Sequence, residues 1–248
     1  MSRDWDAGTY DRVSGPQQAL GERVLARLPL RGDETVLDAG CGSGRVTQML
    51  IDRLPAGHVI AVDGAPSMVE LARETLGDQA TVFEADLAEL KLDEPVDAVF
   101  SNAVFHWLPD HDRLFARLFA ALEPGGRLVA QCGGAGNVER FHLSVREVAA
   151  RPPYAEHLGG WAGPWNYASP EQTAERLERA GFDEIETWLE PYPVTPEDPF
   201  GYLRSVCLGH HLLRLPEELR DPFVADVVEH ADPELDYVRL NIDARRPS

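Results

Sequence analysis

The first half of the chain alternates short apolar runs with amphipathic helical segments, and this rhythm constrains the fold more than any other feature. Alternating strands and helices build a parallel sheet with helices on both faces. Ligands of such sheets bind beyond the carboxyl ends of the strands, near the point where the strand order reverses. Residues that directly follow a strand are therefore the first candidates for a site. The predicted strands are 35–39, 58–62, 80–84, 96–101 and 127–132, with helices at 16–28, 44–54, 66–76 and 112–122.

The rhythm stops after residue 133. Residues 151–168 are rich in proline and aromatic residues and show no clean period. A helix is then predicted from Ser169, the N-cap of a capping box that Gln172 completes, to a C-cap at Gly181. The later predicted elements are a strand at 182–189, helices at 197–215 and 216–230, and a final strand within 235–243.

The charge balance excludes some partners. The 248 residues include 42 Asp and Glu against 23 Lys and Arg, which gives a net charge of −19. Such a surface repels the phosphates of nucleic acids and anionic lipids, so we expect neither a nucleic acid nor a membrane as partner. Cys41, Cys132 and Cys207 are far apart and offer neither a disulfide framework nor metal-ligand spacing. Because no signal peptide or membrane-length apolar run is seen, we expect a cytoplasmic protein. Because metal-ligand spacing is lacking, we expect no bound metal.

A glycine-rich loop at residues 38–44, Asp-Ala-Gly-Cys-Gly-Ser-Gly, joins the first strand to the following helix. Such a turn can simply pack a helix against a strand, but its glycines also let backbone N–H groups approach a ligand. Arg45 stands at the sixth position from Gly40, where dinucleotide-binding loops need glycine, and the Lys-Ser/Thr pair of a triphosphate site is missing. Asp38 would repel a pyrophosphate but attract an ammonium or sulfonium group. These features point to S-adenosylmethionine, with predicted contacts from Asp38, Gly40, Cys41, Gly42 and Gly44.

Two further acids follow later strands. Asp63 ends the second strand, where its carboxylate can accept both ribose hydroxyls; the alternative is an ordinary loop aspartate. Asp86 can accept from the adenine amino group, with Met68 and Leu87 against the ring. Alternatively, Asp86 caps the next turn and Met68 belongs to the core. Gly64 and Asn102 complete the contacts predicted for the cofactor.

Residues 16–132 resemble the class I S-adenosylmethionine-dependent methyltransferases, through the loop, Asp63, the Glu-Ala-Asp triplet that ends at Asp86, and the turn Leu-Glu-Pro-Gly-Gly at 122–126. The resemblance implies a doubly wound, Rossmann-like α/β fold: a mostly parallel seven-stranded sheet with an antiparallel last strand, an N-terminal helix and a helical, aromatic cap insertion. We expect one methyltransferase domain over residues 1–248. Its expected parts are an N-terminal cap-helix region at 1–30, a cofactor-binding core at 31–132, an acceptor-side insertion at 133–230 that includes strand 182–189, and the final strand at 235–243.

The stretch 101–110, Ser-Asn-Ala-Val-Phe-His-Trp-Leu-Pro-Asp, narrows the resemblance. It is similar to the segment after the fourth strand in trans-aconitate and juvenile-hormone-acid methyltransferases, which esterify small carboxylic acids. The resemblance implies that Trp107 lines the acceptor pocket and that Gln17, the best match to an N-terminal glutamine of that family, contributes to it. Tyr10 covers the cofactor in the manner of related enzymes, or only anchors the N-terminal arm.

The acceptor decides whether a base is needed. A carboxylate is already ionised at neutral pH and needs none, whereas a phenol or an amine profits from one. His106, directly after the fourth strand, is the best-placed base; the alternative is a histidine bound within its own loop. The other candidates are His142, His210 and His211 as bases, Arg204 as a contact to the acceptor carboxylate or a solvated helix residue, and Trp161, Trp165 and Tyr167 as a lid or as a satellite core.

The sequence therefore predicts a methyltransferase that uses S-adenosylmethionine to esterify a small organic acid of the trans-aconitate kind. The first alternative is O-, N- or C-methylation of a phenol, amine or carbon centre in natural-product metabolism. A nucleotide-dependent oxidoreductase and a non-catalytic adenosylmethionine-binding protein are the others. The oligomeric state stays open between monomer and homodimer.

Overall fold

The computed structural model describes residues 15–248, with side chains from residue 20 onward. These residues form a seven-stranded sheet. The strands are β1 (Thr35–Ala39), β2 (His58–Asp63), β3 (Thr81–Glu84), β4 (Val96–Asn102), β5 (Leu122–Gly133), β6 (Asp183–Pro191) and β7 (Val238–Arg245). Their order is β3-β2-β1-β4-β5-β7-β6. Strands β1 to β5 pair in parallel, and β7 is antiparallel to both of its neighbours. The predicted sheet with an antiparallel last strand is confirmed.

The strand order reverses at β1. This strand pairs with β2 on one side and with β4 on the other, so the chain builds outward to β3 and then returns past β1 to β4. Connections on the two sides leave the sheet in opposite directions and open a crevice at the carboxyl ends of β1 and β4. The loops that follow these two strands carry the predicted glycine loop, His106 and Trp107.

Ten α-helices surround the sheet along the described residues. They are α1 (Gly15–Arg27), α2 (Arg45–Asp52), α3 (Pro66–Leu76), α4 (His111–Ala121), α5 (Glu139–Ala149), α6 (Ala155–Leu158), α7 (Pro170–Ala180), α8 (Pro199–Tyr202), α9 (Gly209–Leu212) and α10 (Glu217–His230). Among these described helices, none combines the length and the apolar character that a membrane crossing requires.

Polar contacts as well as apolar ones hold α1 on the sheet. Leu20, Val24 and Leu28 are buried on one face, as the predicted amphipathic helix requires. Arg27 donates from Nη2 to the carbonyl of Ala130 at 2.8 Å and from Nε to Asp243 of β7 at 3.2 Å. Burial lowers the pKa of Arg27, and the charge of Asp243 opposes that shift. The helix is therefore tied to β7 by a charged pair and to β5 by a hydrogen bond.

Helix α7 begins and ends where the capping signals predict. The hydroxyl of Ser169 accepts from the backbone N–H of Gln172, and the side chain of Gln172 accepts from the N–H of Ser169. Gly181 ends the helix with φ 106°, a left-handed value that favours glycine. The predicted capping box and C-cap are both confirmed.

The structure departs from the predicted elements in the second half of the chain. Helix α5 was not predicted, although Phe141, Val145 and Val148 place apolar side chains on one face. The helix expected at 197–215 is divided into α8, a π-helical turn at Leu203–Cys207, and α9. The final strand, expected within 235–243, spans Val238–Arg245, and the strand expected at 182–189 spans Asp183–Pro191.

Within the described residues, three apolar clusters form the core. One packs α4 and α7 against one face of the sheet, and a second packs α1, α2 and α3 against the other face. The third joins α5, α6 and the helices after β6, with Phe141, Tyr154 and Phe223 among its members. This third cluster is the core of the predicted cap insertion.

Candidate active site

The loop between β1 and α2 approaches its neighbours so closely that one position excludes any side chain. Gly40 has φ 93°, and a Cβ at this position would lie 2.1 Å from Cγ2 of Val104. The N–H groups of Gly40 and Cys41 both donate to the carbonyl of Val62, at 2.7 and 3.0 Å. The loop is therefore tied to the end of β2 on one side and packed against the chain after β4 on the other.

Asp63 connects this loop to β2. Its Oδ2 accepts from the N–H of Gly42 at 3.0 Å, and its Oδ1 accepts from the N–H of Ala65 at 2.9 Å. Burial raises the pKa of Asp63, while the backbone hydrogen bonds oppose the shift. The backbone of Gly64 adds a third hydrogen bond, so of the about four acceptor positions of an ionised carboxylate roughly one stays open. The predicted contact with the ribose hydroxyls would use this position, and it stays a prediction.

Asp38 lies at the carboxyl end of β1 with only 2% of its surface exposed. Its Oδ2 accepts a 2.7 Å hydrogen bond from the hydroxyl of Thr47 in α2. Burial raises the pKa of Asp38 to about 7; the Thr47 hydrogen bond opposes this and the nearby Asp63 carboxylate adds to it. A carboxyl that titrates near neutrality would gain from a cation placed beside it.

One cavity of about 860 Å³ brings most of the predicted residues together. It extends from the glycine loop past the end of β4 to the aromatic residues of the cap. The predicted residues on its wall are Asp38, Gly40, Cys41, Gly42, Asp63, Gly64, Met68, Asp86, Leu87, Asn102, His106 and Trp107. Gly44 is not on the wall: it precedes α2 with φ 86° and faces Leu76. Tyr10 lies outside the described residues, and so does the side chain of Gln17.

Asp86 shows the turn-capping alternative. Its Oδ1 accepts from the N–H of Ala88 at 2.9 Å, which closes the turn after β3. The side chain is exposed and also borders the cavity, beside the buried Leu87 and Met68. A contact with adenine would therefore have to come from the second carboxylate oxygen, and it stays a prediction.

The segment after β4 turns sharply into the cavity. Ala103 adopts φ 63° and donates its N–H to the carbonyl of Gln131 at 2.7 Å. A non-glycine residue in this left-handed region stores a modest strain, which is typical of functional loops. The 3₁₀ turn Phe105–Trp107 follows and places His106 and Trp107 on the cavity wall.

The protonation of His106 follows from its hydrogen bond. The ring is 7% exposed, and its Nδ1 accepts from the backbone N–H of Gly133 at 3.2 Å. Burial holds the pKa of His106 well below its usual value, and the charge of Arg239 lowers it further. The ring is therefore neutral at pH 7, and because Nδ1 is an acceptor, the proton resides on Nε2. His106 faces the cavity, but its hydrogen bond is to β5 rather than within its own loop, and a role as a base stays a prediction.

Aromatic side chains form the wall opposite the loop. Trp165 and Tyr167 stack with ring planes 8° apart, and Trp107 lies 5.2 Å from the ring of His210. All four line the cavity. Trp161 does not; it packs on the cap cluster, with the guanidinium of Arg214 4.8 Å from its ring centroid. Trp165 and Tyr167 therefore lie where a lid would lie, whereas Trp161 belongs to the satellite core.

The remaining histidines and Arg204 separate clearly. Burial lowers the pKa of His142 to about 4 and that of His211 to about 3. His142 and His210 border the cavity, whereas His211 is buried in the cap. Arg204 pairs with Asp221 at 2.9 Å on the surface and is not on the cavity wall, so it does not meet the expectation of an acceptor contact.

Sequence reasoning missed the polar residues at the cap end of the cavity, above all Arg239 and Asn137. Arg239 alternates along β7 with the apolar Val238, Leu240 and Ile242, a pattern that indicates a solvent-facing polar side chain. Other parts of the chain cover that face, among them α1, whose Arg27 contacts Asn241 and Asp243, so Arg239 is buried. Within the described part of the chain, no cluster of three or more histidine, cysteine, aspartate or glutamate side chains could hold a metal.

Comparisons with known proteins agree with this geometry. A family profile described as a methyltransferase domain matches residues 36–126. The trans-aconitate 2-methyltransferase of Variovorax paradoxus is 31% identical over 92% of this chain and 89% of its own length. The same-named enzyme of Rhizobium leguminosarum is 32% identical over 95% and 94%. That of Methylobacterium nodulans is 37% identical over 75% and 67%.

Solved structures share the fold. Phosphoethanolamine N-methyltransferase 2 of Haemonchus contortus, in complex with S-adenosyl-L-methionine, superposes with a TM-score of 0.63 at 21% identity, over 98% of this chain and 57% of that one. An S-adenosylmethionine-dependent methyltransferase of Mesorhizobium loti gives 0.56 at 23% identity, over 91% and 96%. With the sequence relatives, the fold and the loop, these findings show that the chain belongs to the S-adenosylmethionine-dependent methyltransferase family that contains the trans-aconitate 2-methyltransferases.

Proposed function

We propose that this methyltransferase esterifies a carboxylate of a small organic acid. The observation that carries the proposal is the state of His106: a neutral ring with its proton on Nε2 and its Nδ1 occupied by Gly133. Such a ring donates a hydrogen bond and does not remove a proton. A carboxylate acceptor is ionised already and needs only to be held, so the site suits it better than a phenol.

The loop half of the cavity fits the cofactor. The cradle at Gly42 is open, since a Cβ there would meet nothing within 4 Å, and Asp63 retains acceptor capacity beside it. We assign Asp63 to the ribose hydroxyls, Asp38 to the cationic methionine end, and Leu87 with Met68 to the adenine ring. S-adenosylmethionine would supply a methyl group on a sulfonium, which is a good neutral leaving group.

The protein's part in the reaction is orientation and exclusion of water. The stacked pair of Trp165 and Tyr167 and the ring of Trp107 wall the acceptor end with apolar surface. A donor such as His106 Nε2–H can hold one carboxylate oxygen while the other faces the methyl carbon. Holding the two reactants in line supplies several kcal/mol of the barrier reduction. We place this reaction in the cytoplasm, which is the compartment that three unpaired cysteines favour.

A second candidate is methylation of a phenol or an amine, for which His210 is the group to consider. Its ring lies 5.2 Å from that of Trp107 and borders the same cavity. A base at this position would give a rate that rises with pH through its titration.

The test measures transfer of labelled methyl groups from S-adenosylmethionine to a panel of small carboxylic acids, phenols and amines. Saturating cofactor is needed, because Asp38 titrates near neutrality and would otherwise distort the pH profile. We expect acid products that mild alkali hydrolyses, and a kcat that is flat between pH 7 and 9. Products stable to alkali, or a kcat that depends on a base in this range, would overturn the proposal.

A further inference from the structure

The cap end of the cavity terminates at a buried guanidinium. Arg239 is 3% exposed, borders the cavity, and pairs in register with Gly133 at the carboxyl end of β5. Its guanidinium lies 5.8 Å from the ring centroid of Tyr237. Its charge lowers the pKa of His106, so the two side chains act within one electrostatic environment.

Among the described residues, no carboxylate forms an ion pair with this charge. The ion pairs of the described residues include none with Arg239, and its Nη2 is buried without a hydrogen-bond partner there. Arg27, on the same face of the sheet, differs sharply: Asp243, Ala130 and Asn241 all accept from it. A buried unpaired charge costs several kcal/mol unless an anion reaches it. Of the two arginines on this face, Arg27 is therefore paired with a carboxylate, whereas Arg239 borders the cavity.

The orientation of the guanidinium is fixed from behind. Its Nε donates to Oε1 of Gln131 at 3.1 Å, and Nε2 of Gln131 donates to Oδ1 of Asn241 at 3.1 Å. Arg27 donates to the same Asn241 oxygen, which anchors the network in α1. Because Nε already donates to Gln131, the terminal nitrogens are the donors that remain for a ligand. Two parallel N–H groups match a carboxylate.

The position of β7 in the sheet separates this cation from the cofactor loop. Three strand spacings, about 14 Å in all, lie between β1 and β7. A carboxylate bound to Arg239 is therefore not the one beside the methyl group. A guanidinium on the reacting carboxylate would also withdraw charge from the attacking oxygen.

We propose that Arg239 binds a second, non-reacting carboxylate of the acceptor and makes the enzyme selective for acids that carry at least two carboxylates, with Gln131 as the residue that positions it. This inference rests on the proposed carboxyl methylation. It adds the group that recognises the far end of the acceptor.

The test compares trans-aconitate, (E)-glutaconate and crotonate, which carry three, two and one carboxylates on related carbon skeletons. For the unsubstituted enzyme we expect kcat/KM for glutaconate to exceed that for crotonate by on the order of 10- to 100-fold. Arg239→Met should lower kcat/KM for the first two acids by a similar factor, mainly through KM, and leave crotonate unchanged. Arg239→Lys should recover part of the loss, since it restores charge without the two parallel donors.

Two controls separate a binding role from a structural one. Arg204→Met removes a surface arginine of the cap and should leave kcat/KM for all three acids unchanged. Gln131→Leu should weaken the binding of glutaconate, while the affinity for S-adenosylmethionine, measured by calorimetry, stays constant. Glutaconate binding in the presence of S-adenosylhomocysteine gives a readout without turnover, and Arg239→Met should abolish it.

The outcomes distinguish this inference from the proposed function. If acids are esterified but crotonate and glutaconate react equally in the enzyme and in Arg239→Met, the role of Arg239 is wrong and the function stands. A parallel loss with all three acids would make Arg239 structural. If only phenols or amines are methylated, and glutaconate does not bind, both proposals fail.

Discussion

The hydroxyl of Thr47 donates a 2.7 Å hydrogen bond to the buried carboxylate of Asp38, and so joins α2 to the end of β1 behind the glycine loop. Burial raises the pKa of this carboxyl to about 7 despite that bond. The charge state of the cofactor end of the cavity therefore changes within the physiological pH range.

Cofactor affinity should fall in acid. Asp38 is protonated in the free protein below about pH 7, whereas a bound cation requires the ionised form. The dissociation constant for S-adenosylmethionine should therefore rise as pH decreases from 7.5 to 5.5, by at most about tenfold per pH unit. Calorimetry across this range checks it. Asp38→Asn cannot ionise at this position, so it should bind S-adenosylmethionine weakly and its dissociation constant should change much less with pH. An equal pH dependence in this variant would assign the titration to another group.

Replacing Asp63 should remove cofactor affinity. Asp63→Ala deletes the proposed acceptor of both ribose hydroxyls, so the affinity should fall on the order of 100-fold. The N–H groups of Gly42 and Ala65 also lose their acceptor, so thermal melting should show a modest loss of stability. Asp86→Ala, at the exposed turn, should have the smaller effect on affinity. An unchanged affinity in Asp63→Ala would contradict the assignment.

Two glycines of one loop should respond differently to alanine. Gly40→Ala places a methyl group 2.1 Å from Val104 at a positive φ, so it should destabilise the fold by about 2 kcal/mol or more. Gly42→Ala meets open space at the cavity wall and should lower cofactor affinity more than stability. Denaturant unfolding and calorimetry on both variants separate the effects, and equal unfolding free energies would refute the steric argument.

Trp107 should act on the acceptor rather than on the cofactor. Trp107→Ala removes an apolar wall near the acceptor end, so the KM for the acid should rise several-fold while cofactor affinity changes little. Trp161→Ala is the matched variant, because this ring packs on the cap cluster outside the cavity and should affect melting instead. A defect confined to cofactor affinity would argue against the pocket assignment.

The sequence predicts the cofactor half of the molecule well because its signals are local. Strand–helix alternation and the glycine loop each depend on residues a few positions apart, and so does the capping box of Ser169 with Gln172 in the acceptor-side insertion. Asp38 and Asp63 follow adjacent strands, so knowledge of the parallel sheet alone brings them together.

The acceptor half depends on contacts between distant parts of the chain. Arg239 meets Gln131 across 108 positions, and its face of β7 is covered by α1, whose Arg27 contacts Asn241 on that face. A single strand's polar–apolar alternation cannot reveal that both of its faces are covered. The break of the helix expected at 197–215 likewise reflects packing on the cap rather than a local signal.

The insertion of β7 also sets an order for biosynthesis. Of the seven described strands, β7 is synthesised last, yet β6 pairs with the sheet only through it. The cofactor half can fold while translation continues, but the acceptor half waits for Arg239 and its strand. A chain truncated before β7 would therefore lack both Arg239 and the strand that joins β6 to the sheet.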